Sequence, residues 1–518
     1  MRFLRRVHPI AFSIGPILFL YARNSRELTL AALTLPLLGA LVLAALVWGV
    51  ARLPQRDRDR AALTASAILL PVFSYGALYR SAGEWRNLIP SWPYIFFAVW
   101  LAAVVALVIT LSRARYPAAL VSEGVSAAAL LFLLMVAFSI GNTEWTRLSR
   151  LGQQAASDNA AAAPAIPPER LPNIYYIILD SYGRQDRLAE YFHFDNRAFI
   201  AALRRRGFYV AERSNANYCQ TITSIPATLN LGYLDDIAKK EGAKTSDRQP
   251  LANLLKSCAA RRVLKAYGYR IVALPSEYAP INLPGDESME RLSGYADFYF
   301  SVVNSTPFVL LSLREGSILD YYAYHRRTIL WQLDHLPKTA KIHGPIFVYA
   351  HIMAPHPPYV FDERGNPIKG DPIAASERRA SQWSRGEETQ DDVHRYCSEM
   401  VYLNKLVLEM VDRIQAGAKR PTVIILQADH GPGVLPDTYD EIDKLALPLR
   451  FGILNACYFP DGPPRELYPG ISPVNTFRVV FNRYLGTKYP LLKDEQYFSP
   501  YTYPYDMRRM TEVLQNAK

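Results

Sequence analysis

Asp429 and His430 follow directly on the apolar run 423–426, and Asp180 follows directly on the apolar run 174–179. Carboxylate oxygen and imidazole nitrogen are ligands that divalent cations take readily. In an open α/β sheet the site lies outside the carboxyl ends of the strands, so groups far apart in sequence can share it. Two more apolar runs end in a similar way. The run 269–273 leads to Ser276 and Glu277, and the run 346–350 leads to His351 and then His356 in Pro355-His356-Pro357-Pro358. Alone, Asp180 suits capping of the next turn as well as metal binding, and Asp429-His430-Gly431 suits a structural turn.

A nucleophile has to come from elsewhere. Residues 214–226 are dense in small hydroxyl side chains and read as a loop leading into a helix over 227–234. A hydroxyl at a helix N-terminus sits where backbone N–H groups and the dipole favour an anion. Thr221, Thr223 and Ser224 all qualify, and each serves equally well as an N-cap.

The elements that must position these residues are of two kinds. The chain has 518 residues, half of them hydrophobic, and a formal net charge of +11. The first 140 or so carry apolar stretches long enough to cross a bilayer, which takes roughly 17–25 residues. These are 28–51, 61–81, 93–112 and 117–140, with a shorter, weaker fifth over 8–21. Arg52, Arg56, Arg58 and Arg60 in one short loop, and Arg113 and Arg115 in another, place both loops in the cytoplasm. The chain beyond the last span is then outside. Much of the positive charge flanks the spans, and no basic helix, zinc finger or stacking motif points to nucleic acid.

Residues 155–168, rich in Ala and Pro, read as a spacer. The expected organisation is a membrane domain over 1–141, a linker over 142–170 and a second domain over 171–518. In that domain continuous apolar runs alternate with helical patterns over 196–206, 254–266 and 393–415. The expected class is therefore α/β, a largely parallel sheet covered by helices on both faces, behind an N-terminal bundle of about five spans. Cys219, Cys258, Cys397 and Cys457 form no CxxC pair; outside the cytoplasm they suit either up to two disulfides or isolated thiols.

Three segments together resemble the sulfatase-like branch of the alkaline phosphatase superfamily: 172–180 (PNIYYIILD), 351–359 (HIMAPHPPY) and 424–431 (IILQADHG). Several spans followed by an external catalytic domain are similar in plan to lipoteichoic-acid synthases and to phosphoethanolamine transferases of bacterial inner membranes. The resemblance implies one divalent metal, manganese or zinc, held by Asp180, Asp429, His430 and a nucleophilic Thr221. It implies substrate contacts from His356 and His351, with His356 also placed for acid catalysis. Its further implications are a phospholipid donor, a glycan or lipid acceptor, a phosphothreonine intermediate and a catalytic domain on the periplasmic side of a multi-pass inner-membrane protein.

Two departures narrow that expectation. Formylglycine sulfatases carry Cys/Ser-x-Pro-x-Arg, whereas Cys219 is followed by Gln220, Thr221, Ile222 and Thr223. The second metal of two-zinc relatives needs Asp-x-x-x-His, which His351 and His356 do not supply. A membrane-anchored phosphodiesterase or sulfate-ester hydrolase is the competing enzyme class. A non-catalytic envelope-organising protein is the third, disfavoured by the intact set Asp180, Thr221, Asp429 and His430.

Overall fold

The computed structural model describes residues 4–25, 28–81, 91–154, 166–288, 295–312, 317, 319–368, 390–432 and 447–516. The chain divides into two compact units. One comprises residues 1–157 together with Tyr295–Tyr321; the other comprises the main body of residues 158–294, 322–370 and 374–518.

The first unit contains helices α1 (His8–Asn24), α2 (Thr34–Arg52), α3 (Arg58–Ser81), α4 (Trp92–Arg113) and α5 (Ala118–Gln154). Among the described residues four helices are long and apolar enough to cross a membrane: Leu30–Arg52, Arg58–Tyr79, Trp92–Arg113 and Ala118–Trp145. The expected weak fifth span is α1, a 17-residue helix that packs against α3 and α5. Gly15 allows the approach, since a Cβ there would meet the Phe132 ring at 2.9 Å. The basic loops gather at one end: Arg60 donates to the carbonyls of Ser112 and Ala114 at 3.1 and 2.9 Å, and Arg6 pairs with Asp59.

Two boundaries differ from expectation. Helix α5 has 37 residues, about 55 Å at 1.5 Å per residue, far more than a hydrocarbon core of about 30 Å needs. Residues 142–154, expected as linker, are its continuation. The rest of the Ala/Pro spacer, 155–165, lies outside the described residues. Within the expected 171–518, Tyr295–Tyr321 clusters with the membrane helices.

The second unit is built on a seven-stranded sheet in the order β2-β7-β6-β1-β5-β3-β4. The strands are β1 (Asn173–Leu179), β2 (Phe208–Val210), β3 (Arg270–Leu274), β4 (Glu287–Ser288), β5 (Ile346–Ile352), β6 (Thr422–Gln427) and β7 (Asn455–Tyr458). Pairing is parallel from β6 through β4, while β7 runs antiparallel to both β6 and β2. Every residue of β1, β5 and β6 is buried. Alternate β1 residues serve opposite faces: Tyr175, Ile177 and Leu179 join one apolar core, and Ile174, Tyr176 and Ile178 the other. This explains why these strands read as continuous rather than alternating apolar runs.

Candidate active site

The register of the three central strands assembles the site. Ile178 of β1 pairs with Gln427 of β6 on one side and His351 of β5 on the other. Two residues beyond that rung, Asp180 and Asp429 leave adjacent parallel strands at their carboxyl ends. Asp180, Asp429 and His430 are all buried, and one ligand atom from each lies within 4.8 Å of the others. The His430 Nε2 is 3.7 Å from Asp180 Oδ1 and 3.4 Å from Asp429 Oδ2.

The nucleophile candidates are separated by what each hydroxyl touches. Thr223 donates to the Gln220 carbonyl at 2.9 Å, and Ser224 donates to the Asp429 carbonyl at 2.6 Å. Thr221 Oγ1 instead lies 3.2 Å from His430 Nε2. Thr221 opens the helix Thr221–Leu229, which begins six residues earlier than expected. Pro226, a residue type that suits the first turn of a helix, lies inside this one. Cys219 is buried, and burial pushes its thiol above the ordinary range, which does not suit a nucleophile. Cys219, Cys258 and Cys457 are buried free thiols.

The residues present fit a cation. Burial, followed by the charge of Asp180, pushes the Asp429 carboxyl up to about 7. Burial acts the same way on Asp180, but His356, His351 and His430 outweigh it and hold it below the usual carboxylate range. Asp429 Oδ2 is buried with no hydrogen-bond partner. Two carboxylates forced together out of water, one with an orphaned oxygen, need a positive charge between them. Burial, then Arg450, keeps His430 neutral. Its Nδ1 lies 3.1 Å from the Gly431 carbonyl, which assigns the proton to Nδ1 and leaves the Nε2 lone pair for a metal.

Supporting residues that the sequence did not single out complete the frame. Ser181, in the left-handed region at φ 65°, touches all three acidic and imidazole groups. Its N–H donates to Asp429 Oδ1 at 3.3 Å, its hydroxyl donates to Asp180 Oδ1 at 3.0 Å, and the same Oγ is 3.3 Å from His430 Nδ1. Arg450 donates to the carbonyls of Cys219 and Gly431 at 2.9 and 3.0 Å, tying the Thr221 segment to the His430 segment. The only advance signal for Ser181 was adjacency to Asp180; Arg450 gave none. Gly431 has no room for a side chain, since a Cβ would stand 2.0 Å from the Leu449 carbonyl oxygen. Gly431→Ala is expected to destabilise the fold by about 3 kcal/mol or more by overpacking against backbone, seen as a lower Tm in detergent.

His351 is fully buried behind Asp180, with Nε2 3.3 Å from Asp180 Oδ2 and Nδ1 2.9 Å from Ser276 Oγ. His356 is half-buried, with Nδ1 2.7 Å from the Pro357 carbonyl, and its charge reaches Asp180 and His430. Glu277 does not join the metal ligands: both its oxygens lie against His325 Nδ1, at 3.0 and 2.9 Å. His325 is therefore half of a buried pair. Asn475 and Arg478 are structural, bonded to the Leu492 carbonyl and to the carbonyls of Leu231 and Pro490.

Glu399, on the helix Gln390–Gly417, anchors the strand-end loop that carries His356. Its Oε2 accepts the N–H groups of Val360 and Phe361 at 2.5 and 3.2 Å, while Oε1 has no hydrogen-bond partner. Burial pushes this carboxyl up to about 7 from 4.5. The folded state thus favours the proton. That stability is fully present below the unfolded value and is lost as pH rises through about 7, about 3 kcal/mol in all. Glu399→Gln is expected to match the parent Tm at pH 5 and exceed it at pH 8.

The sheet, the strand-end carboxylates and the hydroxyl at a helix start define a metal-assisted esterase or transferase class. Residues 172–477 match the family model described as Sulfatase, and the chain belongs to that family; it is an enzyme. No curated protein matches the chain. Among solved structures, the lipooligosaccharide phosphoethanolamine transferase EptA of Neisseria meningitidis is similar over 93% of this chain and 95% of its own, at 11% identity and TM-score 0.39. The periplasmic domain of EptC from Escherichia coli covers 66% of this chain and 94% of its own, at 11% identity and TM-score 0.37. That of the Campylobacter jejuni phosphoethanolamine transferase EptC covers 62% and 92%, at 9% identity and TM-score 0.35. At such scores these likenesses stand beside the family assignment and add nothing to it.

Proposed function

We propose that the protein is a membrane-bound, metal-dependent transferase that moves a phospho-substituent from a phospholipid to an envelope glycan or lipid. The substituent is of the phosphoglycerol or phosphoethanolamine type. The reading rests above all on one observation: Thr221 Oγ1 lies 3.2 Å from His430 Nε2, beside the buried carboxylates of Asp180 and Asp429. Asp180, Asp429, His430 and Thr221 would hold one divalent ion, manganese or zinc. When bound, the ion supplies Lewis acidity that lowers the pKa of a coordinated hydroxyl and offsets charge on phosphoryl oxygens.

The rest falls to the chain's own residues. The Thr221 oxygen attacks phosphorus, its proton passing to solvent water, and the bond from phosphorus to the lipid oxygen breaks. His356, half-buried beside the cluster, protonates the departing lipid alkoxide. A phosphothreonine remains. An acceptor hydroxyl then attacks the same phosphorus in line, gives its proton to His356, and releases Thr221, whose oxygen takes a proton back from solvent. His351 is better read as a support that orients Asp180 than as a substrate contact, given its full burial. Residues 1–141 would form the membrane domain, and the catalytic domain begun at 171 would work on the periplasmic side of a bacterial inner membrane, as the basic loops imply.

The test uses the full chain in vesicles containing phosphatidylethanolamine and phosphatidylglycerol. Acceptor-dependent release of diacylglycerol, abolished by chelation and restored by manganese or zinc, supports a transferase. Release at the same rate without any acceptor overturns it in favour of a hydrolase.

A further inference from the structure

The segment Tyr295–Tyr321 interrupts the catalytic unit in sequence yet belongs to the membrane unit. Residues 298–313 carry no charged side chain across sixteen positions. They fold as the helix Ala296–Asn304, a turn, and the short helix Val309–Ser312. Helices of 9 and 4 residues cannot cross a bilayer, which takes roughly 17 or more residues in one helix. An apolar element of this kind lies at the membrane interface instead.

Its seat on the bundle is specific. The Gly76 N–H of α3 donates to the Ser305 carbonyl at 3.1 Å, a backbone contact from helix to turn. A Cβ on Gly76 would stand 2.1 Å from the Asn304 oxygen, so glycine is what permits the approach. Tyr295 and Thr29 hydroxyls are 2.5 Å apart, and the Phe298 ring meets Tyr21 edge-on with centroids 6.4 Å apart. Val309 is fully buried against Tyr75 and Tyr79. Gly76 and Tyr21 lie near the C-terminal ends of α3 and α1, away from the arginines that mark the cytoplasmic end. The hairpin therefore sits at the outer end of the bundle.

The face turned from the bundle remains apolar. Phe308 is 46% exposed and Leu311 44%, close to the 48% of Leu78 on α3. We propose that this hairpin is an interfacial membrane element whose Phe308 and Leu311 side chains enter the acyl region of the outer leaflet. Its occupant is lipid because these exposed apolar side chains belong to a segment seated on a spanning helix, and residues 298–313 carry no charge for a soluble partner. The proposal is independent of the catalytic reading.

The experiment places an environment-sensitive fluorophore on Phe308→Cys or Leu311→Cys in the full chain, in phosphatidylcholine nanodiscs with or without a shallow spin-labelled lipid. Leu46→Cys on the exposed face of α2 is the membrane control, and Lys240→Cys is the aqueous one. Quenching of about two-fold or more at 308 and 311, as at 46, is the expected result for side chains 5–10 Å below the headgroups. Emission at both sites that is as insensitive to the quencher as at 240, in protein that still elutes as a single species, overturns the proposal. The two single substitutions report the same surface, so misfolding of one leaves the other to decide.

Discussion

Thr221→Ala is expected to lower turnover at least about a thousand-fold, because it removes the atom that bonds to phosphorus and no neighbouring hydroxyl can stand in. Thr223 and Ser224 are committed to the carbonyls of Gln220 and Asp429. Thr221→Ser keeps the hydroxyl and should retain measurable activity. The pair separates chemistry from folding, since Thr221→Ser loses only a methyl, and Thr221→Ala a methyl and a hydroxyl, from a half-buried position. Steady-state diacylglycerol release measures both. Thr221→Ala protein that turns over within ten-fold of the parent, about 1.4 kcal/mol, would remove Thr221 from the chemistry.

The second large effect concerns the metal. Asp429→Asn keeps the shape of the side chain and deletes a ligand charge, so bound metal and activity should fall together. Stability should respond in opposite directions with and without metal. In the metal-free protein burial, and after it repulsion from the Asp180 carboxylate, push Asp429 up to about 7. A folded pKa raised in this way means stability present below the unfolded value and lost as pH rises through about 7. Metal-free Asp429→Asn should therefore melt above the metal-free parent at pH 8. Metal at a hundred times its Kd stabilises the parent by about 2.7 kcal/mol and should leave the variant nearly unmoved, reversing their order. Thermal melting with and without chelator reads this directly. An unchanged metal-induced shift in Asp429→Asn would exclude Asp429 from the ligand set.

The sheet was legible because strands buried on both faces must be apolar at every position. Residues 174–179, 346–350 and 423–426 carry that signature, and their ends supplied Asp180, His351, Asp429 and His430. Parallel pairing then made proximity of Asp180 and Asp429 a matter of register. The start of the helix at Thr221 was not legible, since hydroxyls and a proline are also what a loop contains. Nor was the expected helix over 254–266 a single one; the chain breaks it into Gln249–Lys256 and Ala259–Ala266, with Ser257 and Cys258 between. The Glu277–His325 pair joins residues 48 apart in sequence, and Arg450 acts through backbone carbonyls, so neither leaves a local pattern. The return of Tyr295–Tyr321 to the membrane unit was legible only as an uncharged stretch too short to span.

The central claim is that phosphorus passes through Thr221. The most direct test is to incubate the metal-loaded full chain with phosphatidylethanolamine or phosphatidylglycerol in the absence of acceptor, quench in acid, and weigh the peptide containing Thr221. The expected result is a mass increase equal to one phospho-head-group, localised to Thr221, absent from Thr221→Ala and discharged on adding acceptor. Continued release of diacylglycerol with no modified peptide, or an adduct that persists in Thr221→Ala, would contradict it.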